Sequence, residues 1–100
     1  MTRRVEWARS ALDDLLTQIE HIAADNPDAA ERVASAIRKT GEALGDFATG
    51  HPGRVAGTYE KSVRGLPYIV TYALSRDDMT VSILRVIHTA RDWRDDSWPE

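Results

Sequence analysis

The chain contains no cysteine, which excludes disulfides, thiol nucleophiles and thiolate metal ligands. The three histidines, His21, His51 and His88, are too scattered to build a Cys/His zinc site, so no metal or other cofactor is expected. No run approaches the roughly 18 apolar residues of a membrane span. The opening Met1-Thr2-Arg3-Arg4-Val5-Glu6-Trp7 meets charge where a secretory signal needs an apolar stretch. The expectation is a soluble, cytoplasmic protein without membrane association. No Gly-x-Gly-x-x-Gly occurs, and Gly50-His51-Pro52-Gly53 lacks the lysine of a phosphate-binding loop. A Gly-x-Ser-x-Gly nucleophile elbow is missing too. Asp13 and Asp14 are adjacent on a helical pattern, so their side chains diverge and make no carboxylate dyad. Glu20 and His21 fit no metal-binding helix pattern. Neither an internal repeat nor a linker divides the chain.

What remains is an ordinary globular composition: 100 residues, 42% apolar and 29% charged. That is one domain, residues 1–100, with a core of about two layers. The net charge of −3 weighs against a nucleic-acid binder, but the charge is unevenly placed. Residues 1–50 hold six Lys/Arg against nine Asp/Glu, and residues 51–100 hold seven of each. No acid falls between Lys61 and Arg76 or between Met79 and Arg91, so Lys61, Arg64, Arg76, Arg85 and Arg91 form a basic strip. Such a strip is either a solvated strand face or a surface for an anionic target or acidic partner.

Ala8, Ala11, Leu12, Leu15, Leu16, Ile19, Ile22 and Ala23 repeat at the spacing of one helix face. Ser10 with Asp13 three residues on resembles a capping box. The helix should stop at Asp25-Asn26-Pro27, because the residue before proline is pushed out of the helical region. Asn26 as N-cap, Pro27 at the first position and Asp28 in the first turn then open a second helix. Its stripe is Ala30, Val33, Ala34, Ile37, Gly41 and Leu44, and its small residues would let the two helices of a hairpin approach closely. Residues 45–53 are loop by composition. Beyond them Thr58–Val63, Tyr68–Leu74 and Thr80–Ile87 are rich in β-branched and aromatic residues, separated by two hairpin-length turns. Arg4–Trp7 supplies a further strand. The order is β-α-α-β-β-β: an α+β fold with an N-terminal strand and a helical hairpin packed on one face of a small antiparallel sheet.

In Tyr68–Leu74 both alternating sets are largely apolar, and Thr80–Ile87 behaves similarly. A sheet covered on one face only should show a polar opposite face. The second face therefore needs a cover, either a partner chain or the C-terminal tail with Trp93 and Trp98 folded back.

The stretches from Gly57 to Leu74 and from Val81 to Trp93, with Leu66-Pro67-Tyr68-Ile69-Val70 and Leu84-Arg85-Val86-Ile87-His88 inside them, resemble the RelE/ParE toxins of bacterial type II toxin–antitoxin systems. Ala11-Leu12-Asp13-Asp14-Leu15 and Asn26-Pro27 agree, and the resemblance spans about residues 4 to 93. It implies a cytoplasmic bacterial toxin held by a cognate ParD-like antitoxin, which carries a DNA-binding domain and a segment that wraps the toxin. A tail from about residue 92 is then flexible or partner-bound.

The family divides by target. RelE-like members cleave mRNA on the ribosome, whereas ParE-like members inhibit DNA gyrase. Metal-free RNA cleavage needs a base, a proton donor and cations for the phosphorane charge. If this chain were such a nuclease, its groups would be His88, Arg64, Arg85 and Arg91. The nuclease branch carries Gly-Tyr-Arg followed by two apolar residues and Tyr. The corresponding string here is Pro67-Tyr68-Ile69-Val70-Thr71-Tyr72, and isoleucine cannot stabilise a phosphate. The expectation is accordingly a ParE-like gyrase inhibitor that acts by binding. Direct nucleic-acid binding by the toxin alone is not expected, and Lys61, Arg64, Arg85, Arg91 and Trp93 are the candidate contacts to target or antitoxin.

Overall fold

The computed structural model describes residues 2–90. The elements in chain order are β1 (Arg4–Trp7), α1 (Arg9–Ala23), α2 (Pro27–Ala43), β2 (His51–Pro52), β3 (Tyr59–Ser62), β4 (Tyr68–Leu74) and β5 (Thr80–His88). The helical hairpin packs on a single five-stranded sheet of order β1-β5-β4-β3-β2. The α+β architecture matches the sequence reading, with the two-residue β2 as an addition. One pairing differs: β1 runs parallel to β5, Val5 opposite Val81 and Trp7 opposite Ile83, while the other pairs are antiparallel. A parallel pair needs a long crossover, supplied here by everything between residues 7 and 80. Hydrophobic period reports which face of a strand is buried but not which way its neighbour runs.

Asn26 behaves as its sequence requires. Its side-chain oxygen accepts from the Ala29 amide at 3.1 Å, and Pro27 follows at the first position of α2. The start of α1 is a correction. Its N-cap is Ala8, with no side-chain cap, and the Ser10 hydroxyl instead donates to the Leu84 carbonyl at 2.6 Å. The reason lies in β5, which outruns its four-residue neighbour β1 and leaves backbone groups at its edge that need partners. The Ala8 amide donates to the Ile83 carbonyl at 2.8 Å, Ser10 to Leu84, and the Val86 amide to Asp14 Oδ2 at 3.0 Å.

Aiming Ser10 and Asp14 at that edge fixes the rotation of α1. Ala11 and Gln18 are buried, whereas Leu12 and Leu16, assigned by period to the inner stripe, are exposed. Gly41 is a second adjustment. A Cβ there would stand 2.5 Å from Cζ2 of Trp7, so its smallness makes room for the indole of β1 as well as for helix packing. The core lies between helices and sheet, around Ala11, Ile37, Leu44, Val63, Tyr68, Val70, Tyr72, Val81, Ile83 and Val86.

Residues opposite each other on antiparallel strands share a face. Tyr72 with Ile83, and Val70 with Val86, thus face the helices. Thr71 with Arg85, and Ile69 with Ile87, face away. Leu84 has no partner, because the register shifts between Thr71 and Tyr72. On the far face Glu60, Thr71 and Ile87 are buried and Ile69, Ala73 and Ser82 half-buried. Among the described residues, the exposed large apolar side chains are elsewhere: Leu12, Leu16, Phe47, Tyr59 and Met79. A tail folded over this face, with Trp93 and Trp98, lies outside the described residues.

Candidate functional site

The candidate cations do not share one surface. Lys61 is the register partner of Val70 and so projects on the helix side of the sheet. Arg64 follows β3 in the turn closed by the Leu66 amide donating to the Val63 carbonyl at 3.1 Å. Gly65 sits there with φ of 77°, a conformation that suits glycine and leaves Arg64 exposed at the corner. Arg76 lies in the turn at the opposite end of β4. Arg91 and Trp93 lie outside the described residues.

Arg85 leaves from the other face and is fully engaged by Asp14. Its Nε donates to Oδ2 at 2.6 Å and a terminal nitrogen to Oδ1 at 2.9 Å, in a fork-on-fork pair with both side chains only 17% exposed. The same carboxylate oxygen accepts the Val86 amide. Arg85 therefore fastens α1 to β5 through one edge of its guanidinium. His88 stands at the end of β5 opposite Tyr68, ring edge to ring face with centroids 5.2 Å apart. Its Nδ1 accepts the Ala90 amide at 3.2 Å, which puts the proton of the neutral ring on Nε2. Ile69, at the position where the nuclease pattern has arginine, lies between Ser62 and Ile87 on the neighbouring strands.

What the fold does assemble is a shallow groove of about 570 Å³ between the end of α2 and β3. Lys39 on α2, Lys61 on β3 and Arg64 in the turn line it, with Ala43 and Phe47 in its apolar part and no acidic residue among its described walls. Phe47 is 76% exposed, yet its backbone is held on both sides. Its amide donates to Ala43 at 3.0 Å and its carbonyl accepts Thr49 at 2.8 Å. A large apolar side chain so presented beside three cations suits an acidic segment with an apolar anchor. Lys61 and Arg64 were legible as candidates; Lys39 and Phe47 were not. Lys39 sits outside the basic strip, and Phe47 falls in a stretch that composition assigns to loop.

Behind the groove, Tyr72 stacks on Tyr59 with centroids 5.5 Å apart and donates to the Thr49 carbonyl at 2.5 Å. Burial pushes the Tyr72 hydroxyl above its ordinary pKa, and the neighbouring Tyr59 adds to the rise. It is thus a neutral hydrogen-bond donor in the core. Among the described residues no three His, Asp or Glu side chains converge as metal ligands, and no helix is long and apolar enough to cross a membrane.

This arrangement defines a small α+β protein whose distinctive surface is a cationic groove with an apolar anchor. Residues 5–93 match the family model described as ParE toxin of type II toxin-antitoxin system, parDE. A protein of Sinorhizobium fredii named "Putative toxin Y4kP" is 39% identical over 92 residues, covering 91% of this chain and 93% of that one. The chain belongs to the ParE toxin family of type II toxin–antitoxin systems. Among solved structures it is similar to a chromosomal ParDE toxin–antitoxin system from Pseudomonas aeruginosa, with TM-score 0.79 and 21% identity over 87% of this chain and 96% of that one. It is also similar to the RelBE2 toxin–antitoxin complex from Mycobacterium tuberculosis, with TM-score 0.64 and 26% identity over 88% and 92% of the respective chains.

Proposed function

We propose that this toxin acts by binding rather than by catalysis, that its target is DNA gyrase, and that a ParD-like antitoxin neutralises it in the cytoplasm. The observation that carries the reading is the neighbourhood of position 69. A ribonuclease of the RelE kind would need a cation there, and the strand presents Ile69 between Ser62 and Ile87. The pairing of Arg85 with Asp14 supports the same reading, since it gives that cation a structural role between α1 and β5. Lys61 and Arg64, with Lys39 and Phe47 in the same groove, are the proposed contacts to an acidic segment of the antitoxin.

The test is a pulse of expression in cells, followed in parallel by mRNA integrity, plasmid supercoiling and the DNA-damage response. Intact mRNA with altered supercoiling or induced damage is the expected outcome. Rapid cleavage of mRNA on translating ribosomes would overturn it in favour of the nuclease reading, with His88 and Arg64 as the residues to examine.

A further inference from the structure

Helix α1 carries a second surface that neither the core nor the cationic groove uses. Leu12 and Leu16 are 48% and 57% exposed, one turn apart on the side of the helix turned away from Ala11 and Gln18. Arg9 lies one turn before them and Glu20 one turn after, both exposed. Neither Arg9 nor Glu20 has an ion-pair partner among the described residues. The stripe Arg9–Leu12–Leu16–Glu20 falls on one line of the helix surface at spacings of three, four and four.

The arrangement is self-complementary. Arg9 and Glu20 are nearly equidistant from the midpoint between the two leucines. When a second copy of α1 lies antiparallel across the first, Leu12 meets Leu16 of the other copy, and Arg9 meets Glu20 at each end. A two-fold interface demands this pattern, in which the residue at one position faces a complementary residue at another and the relation holds in reverse. A parallel arrangement would instead set arginine on arginine and glutamate on glutamate.

We propose that this face of α1 is a self-association surface, through which the toxin pairs with a second copy of itself about a two-fold axis. One face of a helix about 22 Å long buries less than the roughly 1,200 Å² of a stable interface. The pair is therefore weak and concentration-dependent. None of its four residues lines the cationic groove, and self-association is read without any target present, so it stands or falls apart from the proposed function.

Sedimentation equilibrium of the full-length toxin, from low micromolar to near-millimolar concentration, tests it, with circular dichroism confirming that each variant is folded. The weight-average mass of the wild type should rise from monomer towards dimer. Leu16→Ser should hold it at the monomer value. Arg9→Glu and Glu20→Arg should each weaken association several-fold, while the double reversal should restore most of it. A mass that stays monomeric for the wild type overturns the proposal, as does a double reversal no better than the single variants. Unchanged self-association of Leu16→Ser together with lost antitoxin binding would also overturn it, by assigning the patch to the antitoxin.

Discussion

At the residue scale, the most informative side chain is Arg85, because its type and position invite a functional role while its geometry ties it to Asp14. Its fork is closed on Asp14, which also holds the Val86 amide. Replacing Arg85 by alanine leaves a partly buried carboxylate without its cation, and should cost about 2–3 kcal/mol in urea unfolding. Asp14→Ala should cost at least as much, since it removes the acceptor of both a guanidinium edge and a strand amide. The double variant should fall well short of the sum of the two. If Arg85→Ala abolished toxicity at unchanged stability, the structural assignment would fail. Tyr72 offers a pH test. Its pKa is raised in the folded state, so the unfolded chain releases that proton first. The stabilisation is complete below the ordinary tyrosine pKa near 10 and is lost as pH rises towards the folded value. Tyr72→Phe should cost about 1 kcal/mol at neutral pH through the lost bond to Thr49, and its unfolding midpoint should fall less steeply on the alkaline side.

At the scale of elements, β1, β4 and the opening of α2 were legible because their signals are local: alternation, β-branching, and an Asn-Pro pair that ends one helix and starts the next. The rotation of α1 was not, because period alone cannot say that Ser10 and Asp14 must turn towards an unfinished strand edge. The direction of β1 was hidden for a similar reason, its partner lying more than 70 residues away. The candidate site divides along the same line. Lys61 and Arg64 could be read from local charge, whereas Lys39 and Phe47 became neighbours of them only through the packing of α2 on the sheet. Gly41 shows how such packing reverses a local preference. Alanine in a helix interior ordinarily gains up to about 1 kcal/mol over glycine. Here the new Cβ would stand 2.5 and 2.8 Å from two atoms of the Trp7 ring, an overpacking that costs about 1–3 kcal/mol. Gly41→Ala should therefore lower the urea midpoint, and lower it less in a Trp7→Phe background, where the smaller ring leaves space. A midpoint raised by Gly41→Ala alone would show that the indole moves aside freely.

At the scale of the molecule, the N-terminal strand ties together parts of the chain that are far apart in sequence. The Arg3 amide donates to the Gly45 carbonyl at 2.7 Å, its Nε to the Asp78 carbonyl at 2.8 Å, and its guanidinium pairs with the Asp78 carboxylate at 2.6 Å. Trp7 then packs against α2 at Gly41. β1 and β2 are both short strands at the edges of one sheet, yet they should differ in stability. β2 is two exposed residues paired, among the described residues, with β3 alone, whereas β1 is clamped by a helix, a loop and a turn. Amides free to open locally exchange fast, and those whose opening requires global unfolding exchange slowest. Native-state hydrogen exchange should place the β1 amides in the same slow class as those of β5, and the His51 amide among the fast ones. A toxin lacking residues 1–7 should lose the shared class altogether, with β5 and α1 exchanging fast and the chain unfolding without a sharp transition. Fast exchange of β1 in the intact chain, with β5 still slow, would instead make the strand a detachable edge and leave the folded unit to α1, α2 and the β3–β5 meander.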